Sequence, residues 1–69
     1  MKRIVILGGG ESGVGAAVLA KVKQFDVFLS DSGMLKESYK ETLLQYGIPF
    51  EEGHHSEELI LNADEVVCR

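Results

Sequence analysis

Lys2 to Gly15 reads KRIVILGGGESGVG, and this stretch decides the fold. Ile4, Val5, Ile6 and Leu7 form an unbroken aliphatic run, the pattern of a strand covered on both faces, and the run leads straight into Gly8-Gly9-Gly10-Glu11-Ser12-Gly13. A strand that enters G-x-G-x-x-G and leaves as a helix is the context that gives the motif meaning. Gly8 permits the tight turn, Gly10 lets main chain approach a pyrophosphate, and Gly13 lets the helix lie close to the strand. The helix opening near Ser12 aims unpaired N–H groups and the positive end of its dipole over the turn, so an anion is the expected occupant.

Outward from the turn, the chain alternates. GVGAAVLAKVKQF carries small and apolar residues at roughly helical spacing (Val14, Ala17, Val18, Ala20, Val22), with Lys21 and Lys23 near the end, where cations suit the dipole. Asp26 to Ser30 reads as a second strand that ends at Asp31-Ser32-Gly33. Met34 to Tyr46 reads as a helix with Leu35, Tyr39, Leu43 and Tyr46 on one face; Lys36, Glu37, Lys40 and Glu41 form the solvated side. Gly47 and Pro49 end it. Ile48 to Glu51 is a weaker strand suited to an edge, Ser56 to Asn62 a short helix with Ser56 as N-cap, and Asp64 to Arg69 the beginning of a fourth strand. Four strands alternating with three helices predict an α/β fold: a Rossmann-like open parallel sheet of about four strands with helices on both faces.

Composition narrows the function. Sixty-nine residues make one small domain. Seven Lys and Arg scattered among eleven Asp and Glu, for a net charge of −4, argue against a nucleic-acid partner. No apolar run approaches the ~20 residues that span a bilayer, and no signal-peptide pattern occurs, so no membrane partner is expected. A single cysteine, Cys68, excludes an internal disulfide and fits a reducing cytoplasm; it is expected to be a buried strand thiol.

The candidate ligand contacts gather at the carboxyl ends of the first two strands, the place where an open parallel sheet binds ligands. They are Gly8, Gly10, Glu11, Ser12 and Gly13 in the turn, with Asp31 and Ser32 after strand two. Asp31 could accept both hydroxyls of a ribose cis-diol, or could simply open the Asp31-Ser32-Gly33 turn. Ser12 could donate to a phosphate or cap the helix. A carboxylate at Glu11 would repel phosphate by roughly 1 kcal/mol or more at short range, so its side chain is expected to point away from that group, to solvent or to a donor on base or sugar. His54-His55 reads as a solvated loop, because adjacent histidines do not share a face and no second ligand cluster completes a tetrahedron; no metal is expected. No G-x-x-x-x-G-K-[ST] occurs, which excludes P-loop binding of ATP.

RIVILGGGESGVGAA, VFLSDSG and the GIPFEEGHHSEELILNADEVV tail together resemble the N-terminal domain of the Mur ligase family, in its D-glutamate-adding branch, over essentially the whole chain. The resemblance implies a UDP-binding Rossmann-like domain over residues 1–69. Gly8, Gly10, Ser12 and Gly13 would cradle the UDP diphosphate, Asp31 and Ser32 would meet the uridine, and Glu11 stands where the family often carries an apolar or basic residue beside the uracil. Some members also have a basic residue at the position of Gly33. The implied substrate is UDP-N-acetylmuramoyl-L-alanine, activated with ATP and magnesium in a central domain and joined to D-glutamate held by a third. Neither the Ser-Pro-Gly segment that follows the family's fourth strand nor the central P-loop is present here, so the chain is expected to be a truncated domain that needs the missing domains in cis and is inactive alone. Its fourth strand would then be an unprotected edge prone to self-association. Two other functions use the same residues: a fragment of an NAD-dependent oxidoreductase, which shares the glycine motif and acid, and an interaction module with an empty crevice.

Overall fold

The computed structural model describes all residues, Met1 to Arg69. The elements are β1 (Arg3–Leu7), α1 (Glu11–Val22), β2 (Asp26–Asp31), α2 (Glu37–Gln45), β3 (Phe50–Glu52), α3 (Glu57–Leu61) and β4 (Glu65–Cys68). All strand pairs are parallel and the sheet runs β3-β2-β1-β4. The chain therefore steps outward from β1 to β3, then crosses back to place β4 on the other side of β1. That reversal creates the switch point, and the glycine turn after β1 stands at it.

Strand alternation divides the side chains between two faces. Ile4, Ile6, Val27 and Leu29 point to one, where they pack with Val14, Ala17 and Ala20 of α1, Leu43 of α2, and the loop residues Leu35 and Ile48. Burying these ten side chains is the main stabilising term of so small a domain. The other face holds Val5 and Phe28, with the short α3 as its helix. Arg3 closes this layer: its guanidinium lies 5.6 Å from the Phe28 ring, Nη1 pairs with Asp26 at 3.2 Å and Nη2 donates to the Leu59 carbonyl at 3.2 Å.

Several local expectations shift. The second helix begins at Glu37 rather than Met34, because the Leu35 N–H donates to Glu52 Oε1 at 2.9 Å and Lys36 has extended backbone. Leu35 still enters the core, from a loop, while Tyr46 is 40% exposed. Val22 is exposed rather than packed. The third strand starts two residues later than expected and occupies an edge; Ile48 is core, but outside the ladder. Cys68 is exposed. It lies on the thinly covered face of the second edge strand, where β1 is the only neighbour in the sheet.

Candidate functional site

Three hydrogen bonds fix the mouth of the sheet. Gly8 N–H donates to the Ser30 carbonyl at 2.8 Å, Arg69 N–H donates to the Leu7 carbonyl at 2.8 Å, and Gly9 N–H donates to Asp31 Oδ2 at 2.6 Å. The end of β1 is thus tied to both neighbouring strands. Gly8 has φ +111°, a conformation that L side chains rarely adopt, and a Cβ there would also strike the Arg69 carbonyl. A Cβ at Gly13 would strike the Gly8 carbonyl, so this glycine serves close helix–strand packing, as the motif implies.

Gly10 differs. Its backbone is extended (φ −79°, ψ −171°), and a Cβ built on it meets nothing within 4 Å. Nothing inside the domain requires glycine at this position, and the space before it is open. Gly10 is the N-cap of α1, and no side chain caps the helix. The first intrahelical bond runs from the Val14 N–H to the Gly10 carbonyl at 2.9 Å. The first-turn amides of Glu11, Ser12 and Gly13 therefore have no partner inside the helix, and the dipole adds about half a positive charge at this end.

Ser12 lies in the first turn instead of preceding it. It is exposed and makes no cap bond, which removes the capping alternative and leaves its hydroxyl free. Glu11 is the first helical residue and exposed; its acidic side chain there suits the helix dipole. Ser32 is exposed beyond the end of β2.

Asp31 does open its turn, with Oδ1 accepting from the Gly33 N–H at 2.8 Å, and its other oxygen holds Gly9. One carboxylate thus joins the two loops at the mouth. The role of Gly9 escaped the sequence reading, although a Cβ at that position would meet Leu35 Cδ2 and, at 3.0 Å, Asp31 Oδ2. The available signal was the middle one of three consecutive glycines, at a position where the motif asks for none.

Beside this mouth lies a polar cluster that the sequence also concealed. Ser30 is completely buried, and its Oγ stands 2.7 Å from Glu51 Oε2 and 2.6 Å from His55 Nδ1. Glu51 also accepts from the Ser56 N–H at 2.7 Å and the Ser56 hydroxyl at 2.6 Å, and His54 Nε2 lies 3.0 Å from its Oε1. Burial pushes the Glu51 carboxyl up, but the amide and hydroxyl of Ser56, the Ser30 hydroxyl and the charge of His54 together outweigh it and hold the pKa at about 2. Ser56 stands at the N-cap of α3, but gives its hydroxyl to Glu51 and not to the helix. The two histidines are exposed as expected, and both are tied to this cluster. No local pattern announces a contact between residues 25 apart in sequence.

A concavity of about 420 Å³ lies between α1 and β4. Its walls are mostly apolar, including Ile6, Leu19, Phe25 and Val67, with Ser12, Lys23 and Arg69 as its polar members.

A parallel α/β sheet with a glycine turn and an uncapped helix N-terminus at its switch point defines a Rossmann-like domain. Comparison with known sequences refines this. The family described as the MurD N-terminal domain matches residues 3–68, and the chain belongs to that family. It is 67% identical to UDP-N-acetylmuramoylalanine--D-glutamate ligase of Bacteroides thetaiotaomicron over 97% of its length. The enzymes of the same name from Bacteroides fragilis and Porphyromonas gingivalis are 66% and 56% identical over 97% and 93% of the chain. The chain spans about 15% of the length of these relatives.

Proposed function

We propose that the chain is the UDP-recognition domain of a cytoplasmic ligase that adds D-glutamate to UDP-N-acetylmuramoyl-L-alanine in peptidoglycan synthesis. The observation that carries this reading is the open, uncapped turn at Gly10, in a chain two-thirds identical to such ligases. The diphosphate lies across the first turn of α1, taking hydrogen bonds from its amides and from the Ser12 hydroxyl. Gly8 and Gly13 shape the turn from within. Asp31 and Ser32 face the uridine; Asp31 keeps lone pairs beyond those used by Gly9 and Gly33, so a ribose hydroxyl can still donate to it. Glu11 stays on the solvent side of the phosphates.

ATP and magnesium would supply activation of the substrate carboxylate as an acyl phosphate, but the residues of this chain do not fit either. There is no P-loop, and no group of three or more His, Cys, Asp or Glu that could hold a metal. That chemistry would fall to further domains of the ligase. No helix of the structure is long and apolar enough to cross a membrane.

Titration with UDP, followed by thermal shift and calorimetry, tests the reading. Ligand at a hundred times its dissociation constant adds about 2.7 kcal/mol of stability. Gly10→Val should leave the free domain folded, since a Cβ there meets nothing within 4 Å and the cost is that of a poorer N-cap, and should abolish the UDP shift. No response to UDP, a response to NAD in its place, or undiminished UDP binding by Gly10→Val refutes the assignment.

A further inference from the structure

The Ser30 cluster lies at the same mouth, and its geometry fixes where its protons are. Glu51 is ionised at neutral pH, so its Oε2 can only accept, and the one hydroxyl proton of Ser30 goes to this charged oxygen at 2.7 Å in preference to the other acceptor in reach, the His54 carbonyl at 3.3 Å. Ser30 Oγ is then left with lone pairs toward His55. A bare Nδ1 at 2.6 Å would set two acceptors against each other, so Nδ1 must carry the proton and donate it to Ser30. The order of donation is His55 to Ser30 to Glu51, and Glu51 also gathers the amide and hydroxyl of Ser56.

Ser30 is the joint between this relay and the glycine turn. Its carbonyl accepts from the Gly8 N–H, and its successor Asp31 accepts from the Gly9 N–H. A further bond, from the Gly53 N–H to the Gly33 carbonyl at 2.9 Å, ties the His54-His55 loop to the loop after β2. We propose that His55 is a positioning residue for the nucleotide site: as its Nδ1–H tautomer it locks the carboxyl end of β2, and so sets the glycine turn and Asp31 in the geometry that receives the nucleotide. The inference rests on the UDP reading above and adds a residue that need not touch the ligand.

Nitrogen-15 NMR of the imidazole together with UDP titrations tests it. In the unmodified chain the neutral His55 ring should show Nδ1 protonated and Nε2 bare. His55→Ala should weaken UDP binding about tenfold, the loss of one well-placed hydrogen bond. His55→Asn, whose amide nitrogen can stand where Nδ1 does, should recover most of that loss, whereas His55→Gln, whose amide reaches the Nε2 position, should not. The Asn and Gln pair gives the answer even where His55→Ala fails to fold. An Nε2–H tautomer, UDP binding by His55→Ala equal to that of the unmodified chain, or equal binding by the Asn and Gln variants overturns the proposal. Absence of UDP binding by the unmodified chain overturns the nucleotide reading and the positioning role with it; the imidazole signature then separates that failure from an absent relay.

Discussion

Replacing Glu51 with Gln removes a charge from the most connected side chain of the domain. Its side chain is only 10% exposed and accepts three hydrogen bonds, two from Ser56 and one from Ser30. A carboxyl held at about 2 against an ordinary 4.5 corresponds to at most about 3.5 kcal/mol of stability at neutral pH, taking 1.36 kcal/mol per tenfold change. Solvent reaches the carboxylate on the side of the exposed His54, and screening lowers this to about 1–2 kcal/mol. Gln keeps one acceptor oxygen, but turns an N–H₂ toward a group that must itself donate, so little of the loss is recovered. For a domain of this size the melting temperature should fall by about 5–15 °C. The pH dependence gives a sharper test. Because the folded pKa is the lower one, this stabilisation is complete above the unfolded value of about 4.5 and drains away as pH falls toward 2. Urea or thermal melts from neutral pH down to about pH 3 should therefore show the unmodified domain losing its advantage over Glu51→Gln through that window. Equal stability at neutral pH, or a gap that stays constant on acidification, would refute the account.

Two further substitutions probe the turn itself. Gly13→Ala drives a methyl into the Gly8 carbonyl and should cost about 1–3 kcal/mol in denaturant melts, whereas a Cβ at Gly10 meets no such obstacle. Asp31→Asn puts an N–H₂ against either the buried Gly9 amide or that of Gly33, and should cost about 1–2 kcal/mol, with faster hydrogen exchange at whichever amide loses its acceptor.

The α/β class, the parallel sheet and the place of the glycine turn were legible in the sequence. Those features are local: an unalternating aliphatic run before a glycine motif, then helical spacing, leaves few other ways to bury Ile4, Ile6, Val14 and Ala17 together. Family membership was legible for the same reason, since the quoted segments are contiguous. The three-dimensional fold alone shows what Asp31 holds besides its own turn, why a glycine stands at position 9, and that Glu51 and His55 converge on Ser30 while Ser56 binds Glu51. These are contacts between the carboxyl ends of different strands and the loops that follow them. Their geometry is set by strand order and register, β3-β2-β1-β4 with Ser30 opposite Glu51, and not by any spacing along the chain. The exposure of Cys68 follows from the same cause: burial of a strand residue depends on what packs over its face, and a thiol on a thinly covered edge strand has little above it.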